Sequence, residues 1–191
     1  MNELSPPQGT LPDALVGRAR DMLGRNFDPR AESYGAALEA LFQQMMLRFV
    51  ELNAQALATG LDLLVFPQGT RSRRLSRGHI GLAQMALYLG APIVPVGCSG
   101  GDVIYPKRSP LCQAGRVTYR IGKPIPPSEL ARFAVPAETQ PFERASETEQ
   151  RVKYQALVDH VMDPIDELLD EPYRYSDDAK SDGTVGTSRF V

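Results

Sequence analysis

The spacing of apolar residues predicts a long amphipathic helix in the first third of the chain. Over 33–59 the apolar side chains recur at alternating steps of four and three, which places them on one helical face, and Gly60 supplies the stop. These side chains are Leu38, Phe42, Met45, Phe49 and Leu52. Met45 and its neighbour Met46 are expected to fill the core. A shorter helix over 12–23, closed by Gly24, is predicted before it, with a turn or loop following.

The middle of the chain has the pattern of a βαβ unit. Two short, nearly unbroken apolar runs, 61–66 and 92–98, are typical of strands buried on both faces. Between them lies a helical pattern that Ser76 can cap and Gly90 can end. We therefore expect two parallel strands joined by a right-handed crossover. Alternation over 117–121 predicts one more, half-exposed strand.

The last third predicts a helix and an unstructured tail. Helical spacing of apolar residues extends over 146–169, where Pro164 should kink or split the helix. From Ser176 to the end the chain is polar, and we expect this segment to be disordered. Residues 1–175 are then expected to form a single domain, which is the usual number for 191 residues.

Charge is distributed unevenly along the chain. Lys and Arg number 5, 9 and 7 in residues 1–60, 61–125 and 126–191, and Asp and Glu number 7, 2 and 14, which gives balances of −2, +7 and −7. The middle segment therefore favours an anionic partner. The pI of about 5.7 and the lack of aromatic residues within the basic run speak against nucleic acid.

Composition narrows the setting in which the protein works. No apolar run is long enough to span a bilayer, and no signal peptide is evident, so we expect a cytoplasmic protein. Two cysteines, Cys98 and Cys112, form neither a disulfide framework nor a metal cluster. Cys98 lies in a predicted strand, and its expected role is packing.

The sequence Phe-Pro-Gln-Gly-Thr-Arg-Ser at 66–72 has the chemistry of a phosphate site. It follows a predicted buried strand, where open α/β sheets bind ligands. Gly69 lets a ligand approach the backbone, Thr70 and Ser72 carry hydroxyls, and the planar fork of Arg71 suits phosphate oxygens. For the neighbouring Arg73, Arg74 and Arg77, a solvated surface and contact with anionic headgroups are both open interpretations.

This block resembles the FPEGTRS block of the glycerolipid acyltransferases, which include the lysophosphatidic acid acyltransferases. A second block, Pro-Ile-Val-Pro-Val at 92–96, is similar to that family's VPIVPV block at the expected distance, and 115–126 is similar to the following strand and its GKPI turn. The resemblance covers about 60–126. It implies an α/β fold in which helices flank a mixed sheet.

The resemblance implies a function in phospholipid biosynthesis. Enzymes of this family transfer an acyl group from acyl-CoA or acyl carrier protein to a hydroxyl of a lysophospholipid or glycerol phosphate. They need no other cofactor and no metal. The acceptor phosphate would be held by the turn residues and by an arginine of a further family block, here Arg30; the turn residues are Gln68, Gly69, Thr70, Arg71 and Ser72. The resemblance also implies a peripheral position on the anionic inner face of the membrane.

Two departures from the family pattern qualify this expectation. The family's HxxxxD motif should precede the FPEGTRS block, but the chain has no histidine before His79, so no catalytic residue is assigned. Gln84 and Ile165 stand where an HxxxxD motif starting at His79 or His160 needs aspartate. Gln68 also replaces the usual glutamate. Two hypotheses follow: an acyltransferase whose N-terminal catalytic part is missing from this chain, or a non-catalytic relative that binds phospholipid.

Three further interpretations involve serine and histidine. Residues 97–101 match G-x-S-x-G, but a hydrolase with Ser99 as nucleophile needs a helix directly after the serine, and 102–106 is predicted to be extended or looped. For His79 a role in capping or packing is favoured over catalysis. His160 is expected to form an exposed helical pair with Asp163.

Overall fold

A computed structural model describes residues 30–69, 72–105 and 111–175 of the chain. Within these ranges the protein combines helices with a small two-stranded sheet, which makes it a mixed α/β protein. The chain divides into two compact units, Met1–Leu61 and Asp62–Val191. The helix predicted at 12–23 and the tail predicted at 176–191 lie outside the described residues.

The first unit is represented by helix α1, Tyr34–Ala58. The Ser33 hydroxyl caps it by accepting a hydrogen bond from the Ala36 amide at 3.2 Å, and Gly60 follows its end with φ of 81°. The predicted helix is confirmed. The predicted core role of Met45 is wrong, because the side chains of the stripe from Leu38 to Leu52, Met45 among them, are exposed. The described residues of this unit leave that stripe uncovered.

The second unit contains strands β1, Val96–Ser99, and β2, Thr118–Ile121. They pair antiparallel, and an isolated bridge joins Ile93 to Ile125. The parallel βαβ prediction is wrong in the described residues, because 61–66 forms no strand and β1 takes its hydrogen bonds from the later strand β2. Leu64 and Phe66 are accordingly 81% and 75% exposed rather than buried.

The described part of the second unit also contains four α-helices. They are α2, Gly81–Leu89; α3, Gly101–Ile104; α4, Pro127–Leu130, which continues as a 3-10 turn at Ala131–Phe133; and α5, Arg144–Leu168, followed by a 3-10 turn at Glu171–Tyr173. Gly90 ends α2 with φ of 59°, as predicted. Helix α5 runs through Pro164 without splitting. Buried Val161, Met162 and Leu169 on either side help to offset the cost of the proline.

The core of the second unit lies along α5. Its side chains at Tyr154, Leu157, Val158, Val161 and Met162 are at most 2% exposed and pack in one cluster with Ala83 and Ala86 of α2. Burial, with a smaller effect of the Glu147 carboxylate, raises the pKa of Tyr154. The backbone before α2 approaches α5 closely, since a methyl group at Gly78 would lie 2.5 Å from Val158 Cγ1.

The sheet rests on the C-terminal end of α5. Arg120 of β2 donates to the Leu168 carbonyl at 3.0 Å and to the Asp170 carboxylate at 2.7 Å. The amide of Asp170 donates to the buried Ser99 hydroxyl of β1 at 3.1 Å. Arg174 donates to the Leu169 carbonyl at 3.1 Å. The bonds to Leu168 and Leu169 satisfy carbonyls that the end of a helix leaves without partners.

Candidate phosphate-binding turn

The turn at Phe66–Gly69 is folded tightly against the start of α2. Its closing hydrogen bond runs from the Gly69 amide to the Phe66 carbonyl at 3.0 Å, and Gly69 has φ of 63°. The His79 amide donates to the Pro67 carbonyl at 2.8 Å. The His79 ring lies beside Gly69, where an added methyl group would be 3.1 Å from Cδ2. Glycine therefore meets two requirements here, a left-handed conformation and room for the ring.

The Gln68 side chain braces the loop that follows this turn. Its amide donates to the hydroxyls of Ser72 at 2.8 Å and Ser76 at 2.7 Å. The Ser72 hydroxyl in turn donates to the Arg74 carbonyl at 2.6 Å. Ser76 is buried and does not cap α2 as predicted, because α2 begins only at Gly81 and Ser76 is bound to Gln68 instead. The amide thus connects both ends of the basic loop.

The structure brings together three of the six residues predicted to hold phosphate. Gln68, Gly69 and Ser72 belong to the braced turn. Thr70 and Arg71 lie outside the described residues, and their role stays a prediction. Arg30 is exposed in a turn before α1, in the first unit. The Gln68 amide and the Ser72 hydroxyl bond to the protein itself, so these two side chains fix the shape of the loop.

The basic residues after the turn differ in their surroundings. Arg73 pairs with Asp102 at 3.4 Å and Arg77 with Asp159 at 3.9 Å. Both pairs are largely exposed, and such pairs contribute at most about 1 kcal/mol each. Arg74 is exposed and forms no ion pair within the described part of the chain. It is therefore the arginine of this group whose charge is least neutralised by a carboxylate.

Asp102 and Tyr173 also hold the basic loop, although no sequence pattern pointed to either residue. The Tyr173 hydroxyl donates to Asp102 Oδ1 at 2.7 Å, and this hydrogen bond is the main reason why the pKa of Tyr173 is raised. The Leu75 amide donates to the Tyr173 carbonyl at 2.8 Å. Because Tyr173 and Asp102 lie far from the turn in sequence, no motif spacing could have found them.

Neither histidine of the chain has an aspartate five residues later, as an HxxxxD motif requires. His79 is exposed and packs beside Gly69, and its side chain does not cap α2. His160 does not pair with Asp163 as predicted. Its Nε2 atom lies 2.8 Å from Glu129 Oε1, because α5 places the ring against α4.

Two expectations for β1 also need correction. A short helix, α3, begins just after Ser99 and Gly100, so the predicted loop there is wrong, but Ser99 is 2% exposed and its hydroxyl is bound to the Asp170 amide. The argument against Ser99 as a nucleophile is therefore its burial, and not the absence of a following helix that the sequence predicted. Cys98 is exposed, so its predicted packing role is wrong as well. Its side chain lies on the sheet face opposite α5.

Comparison with known protein families, with characterised proteins and with solved structures finds no match. Within the described ranges no group of three His, Cys, Asp or Glu side chains is arranged to hold a metal ion. Among the helices of those ranges, none combines the length and the apolar character that crossing a bilayer requires.

Proposed function

We propose that this chain carries the acceptor-binding part of a glycerolipid acyltransferase. The observation that supports this most directly is the braced turn, in which Gly69 adopts a left-handed conformation and Gln68 holds Ser72 and Ser76. The brace fixes the described residues on either side of 70–71, next to the exposed cations Arg73, Arg74 and Arg77. A rigid frame lowers the entropy that is lost when an anion binds.

In this proposal the turn positions the phosphate of a lysophospholipid or glycerol phosphate. Arg71 supplies a two-point contact with phosphate oxygens, and the braced loop fixes where that contact is made. The bound acceptor presents its free hydroxyl to the thioester of acyl-CoA or acyl carrier protein. The new ester C–O bond forms, the C–S bond breaks, and the hydroxyl proton passes through a general base to the departing thiolate.

The general base of that reaction is not assigned to this chain. Neither histidine has an aspartate in the HxxxxD position, and without a base the rate falls by about 10²- to 10⁴-fold. The second candidate is therefore a non-catalytic relative that binds phospholipid through the same turn. An in-frame HxxxxD segment upstream of Met1 in the gene would support the acyltransferase, and its absence would support the binding protein.

Calorimetric titration with glycerol 3-phosphate tests the site that both candidates share. Arg71→Ala should weaken binding by about 1.5–3 kcal/mol, which is about 10- to 150-fold, because a charge-assisted contact is lost. Arg74→Ala is the matched control and should cost at most about 1 kcal/mol, since Arg74 is an exposed cation. Arg71→Lys should restore part of the affinity, because an ammonium keeps the charge without the planar fork.

Equal affinity of the wild type and Arg71→Ala would remove the phosphate site from the proposal. A measurable rate of acyl transfer to lysophosphatidic acid from acyl-CoA by this chain alone would show that a base is present after all. If His79→Ala abolished that rate, His79 would be the base. The proposal also includes binding to the anionic inner face of the membrane, because residues 61–125 carry a net charge of +7.

A further inference from the structure

The two-stranded sheet exposes a row of apolar side chains. The register pairs Val96 with Ile121 and Cys98 with Tyr119, so these four residues share one face. Ile121 is 74% and Tyr119 68% exposed, and Val94 continues the same alternation just before β1. The five residues are called the apolar sheet face. Cys98 lies close to Tyr119. The charge of the Cys98 side chain, and to a smaller extent its hydrogen bond with Tyr119, raises the pKa of the Tyr119 hydroxyl.

Helix α5 covers the opposite face of the sheet. A methyl group at Gly97 would lie 2.7 Å from Leu168 Cβ, and Arg120 bonds to the Leu168 carbonyl. Gly97 and Arg120 are register partners that alternate with the residues of the apolar sheet face. Because side chains alternate between faces, the apolar sheet face points away from α5.

Charge differs between the two halves of the second unit's sequence. Residues 126–191, which include α5, have a balance of −7, and residues 61–125, which include both strands, have a balance of +7. Arg116 and Lys123 lie just beyond the two ends of β2, are exposed, and form no ion pair with any described residue. Strand β2, which carries two residues of the apolar sheet face, is therefore flanked by two cations without ion pairs among the described residues, and the acidic helix α5 lies against the other face of the sheet.

We propose that the apolar sheet face is the surface that enters the interface of an anionic membrane. This inference rests on the proposed function. The charge balance suggests that the protein binds a membrane, and the inference names the surface that makes the contact. Apolar side chains and a tyrosine on a strand flanked by an arginine and a lysine match the boundary between acyl chains and anionic headgroups. Contact with a second copy is less favourable, since it would bring Arg116 and Lys123 of two chains close to each other.

Vesicle co-sedimentation tests the proposal with a double variant, Tyr119→Ser with Ile121→Ser. Vesicles of phosphatidylcholine with phosphatidylserine should bind the double variant at least about tenfold more weakly than the wild type, because the loss of two apolar side chains removes the burial of their surface. Val152→Ser is the matched control, since Val152 is 83% exposed on α5, and its binding should be unchanged. Equal binding of the double variant and the wild type would overturn the proposal.

A label at Cys98 gives a second measurement that needs no loss of apolar residues. In a Cys112→Ser chain, an environment-sensitive dye on Cys98 should shift to shorter wavelength with phosphatidylserine-containing vesicles and become protected from iodide. The control dye is attached through Val152→Cys in a chain with Cys98→Ser and Cys112→Ser, and it should not change. A shift that appears without vesicles and grows with protein concentration would place a second copy on the face and overturn the membrane contact.

The two proposals fail in different ways. If the wild type binds glycerol 3-phosphate but not phosphatidylserine-containing vesicles, the membrane contact is refuted and the phosphate site stands. If the wild type binds vesicles and the dye at Cys98 does not respond, another surface makes the contact and the inference about the sheet face is refuted. If vesicle binding depends on the face but glycerol 3-phosphate does not bind, the proposed function is refuted and the surface assignment stands.

Discussion

The brace formed by Gln68 yields the most direct prediction from the structure. In Gln68→Ala the two hydrogen bonds from the amide to Ser72 and Ser76 are lost. The backbone bonds of the turn, from Gly69 to Phe66 and from His79 to Pro67, are left in place. The substitution therefore separates the stability given by the brace from the geometry of the turn itself.

The cost of this substitution depends on how easily water replaces the amide. Ser76 is 8% exposed, and losing its partner should cost about 1–3 kcal/mol because the hydroxyl stays buried without a donor. Ser72 is only half-buried, so water can replace the amide there and the loss is about 0.5 kcal/mol. A total of about 1.5–3.5 kcal/mol corresponds to a fall in Tm of about 3–14 °C for a chain of this size.

Thermal unfolding followed by circular dichroism measures this change. Gln140→Ala is the matched control, because Gln140 is exposed in the same unit, and its Tm should stay near that of the wild type. Gln68→Glu adds a second arm. A carboxylate can only accept, so Ser72 would have to release the Arg74 carbonyl to bond to it, and part of the stability should be lost. A Gln68→Ala variant with the Tm of the wild type would show that the brace does not stabilise the fold.

Two further predictions concern the stability of the second unit. Gly78→Ala should lower Tm by the equivalent of about 1–3 kcal/mol, because its methyl group would overlap Val158, whereas Gly101→Ala, with open space around it, should not. Burial, followed by nearby carboxylates, raises the pKa of Tyr175 to about 12, above its unfolded value of about 10. The folded state thus keeps a proton that the unfolded state loses, so this contribution is complete below about pH 10 and is lost towards about pH 12. Chemical denaturation should therefore show a shallower alkaline loss of stability for Tyr175→Phe, and an identical pH dependence in the two proteins would contradict this.

Local features of the fold could be predicted because neighbouring residues determine them. Helix α1 fills nearly all of the predicted range 33–59 and ends before Gly60, the stop that was evident in the sequence. The sharp turn at Gly69 was also expected from its position after an apolar run and a proline. In each of these positions the hydrogen-bond partners lie within a few residues, so composition and spacing were sufficient.

The supports of the candidate site could not be predicted, because they depend on the tertiary fold. Asp102 reaches Arg73 and Tyr173 only after the chain has folded back across the unit. The bond between Gln68 and Ser76 competes with a helix cap, and propensity alone favours the cap. The sequence pattern identified the turn as chemically distinctive. It could not show which of the turn's polar side chains form hydrogen bonds within the protein and so stabilise the loop.

The pairing of strands could not be predicted from the sequence either, and the observed pairing leaves exposed the sheet face that we propose meets the membrane. An apolar run such as 61–66 has no pattern that selects its partner, so the choice between a parallel and an antiparallel neighbour of β1 was open on physical grounds. Once β1 pairs with β2, only one face of the sheet can be covered by α5. A two-stranded sheet has little stability of its own and is stabilised when its apolar surface is covered. The exposed row from Val96 to Tyr119 therefore gives this unit a free-energy gain on meeting an apolar environment, and the basic residues beside β2 select an anionic one.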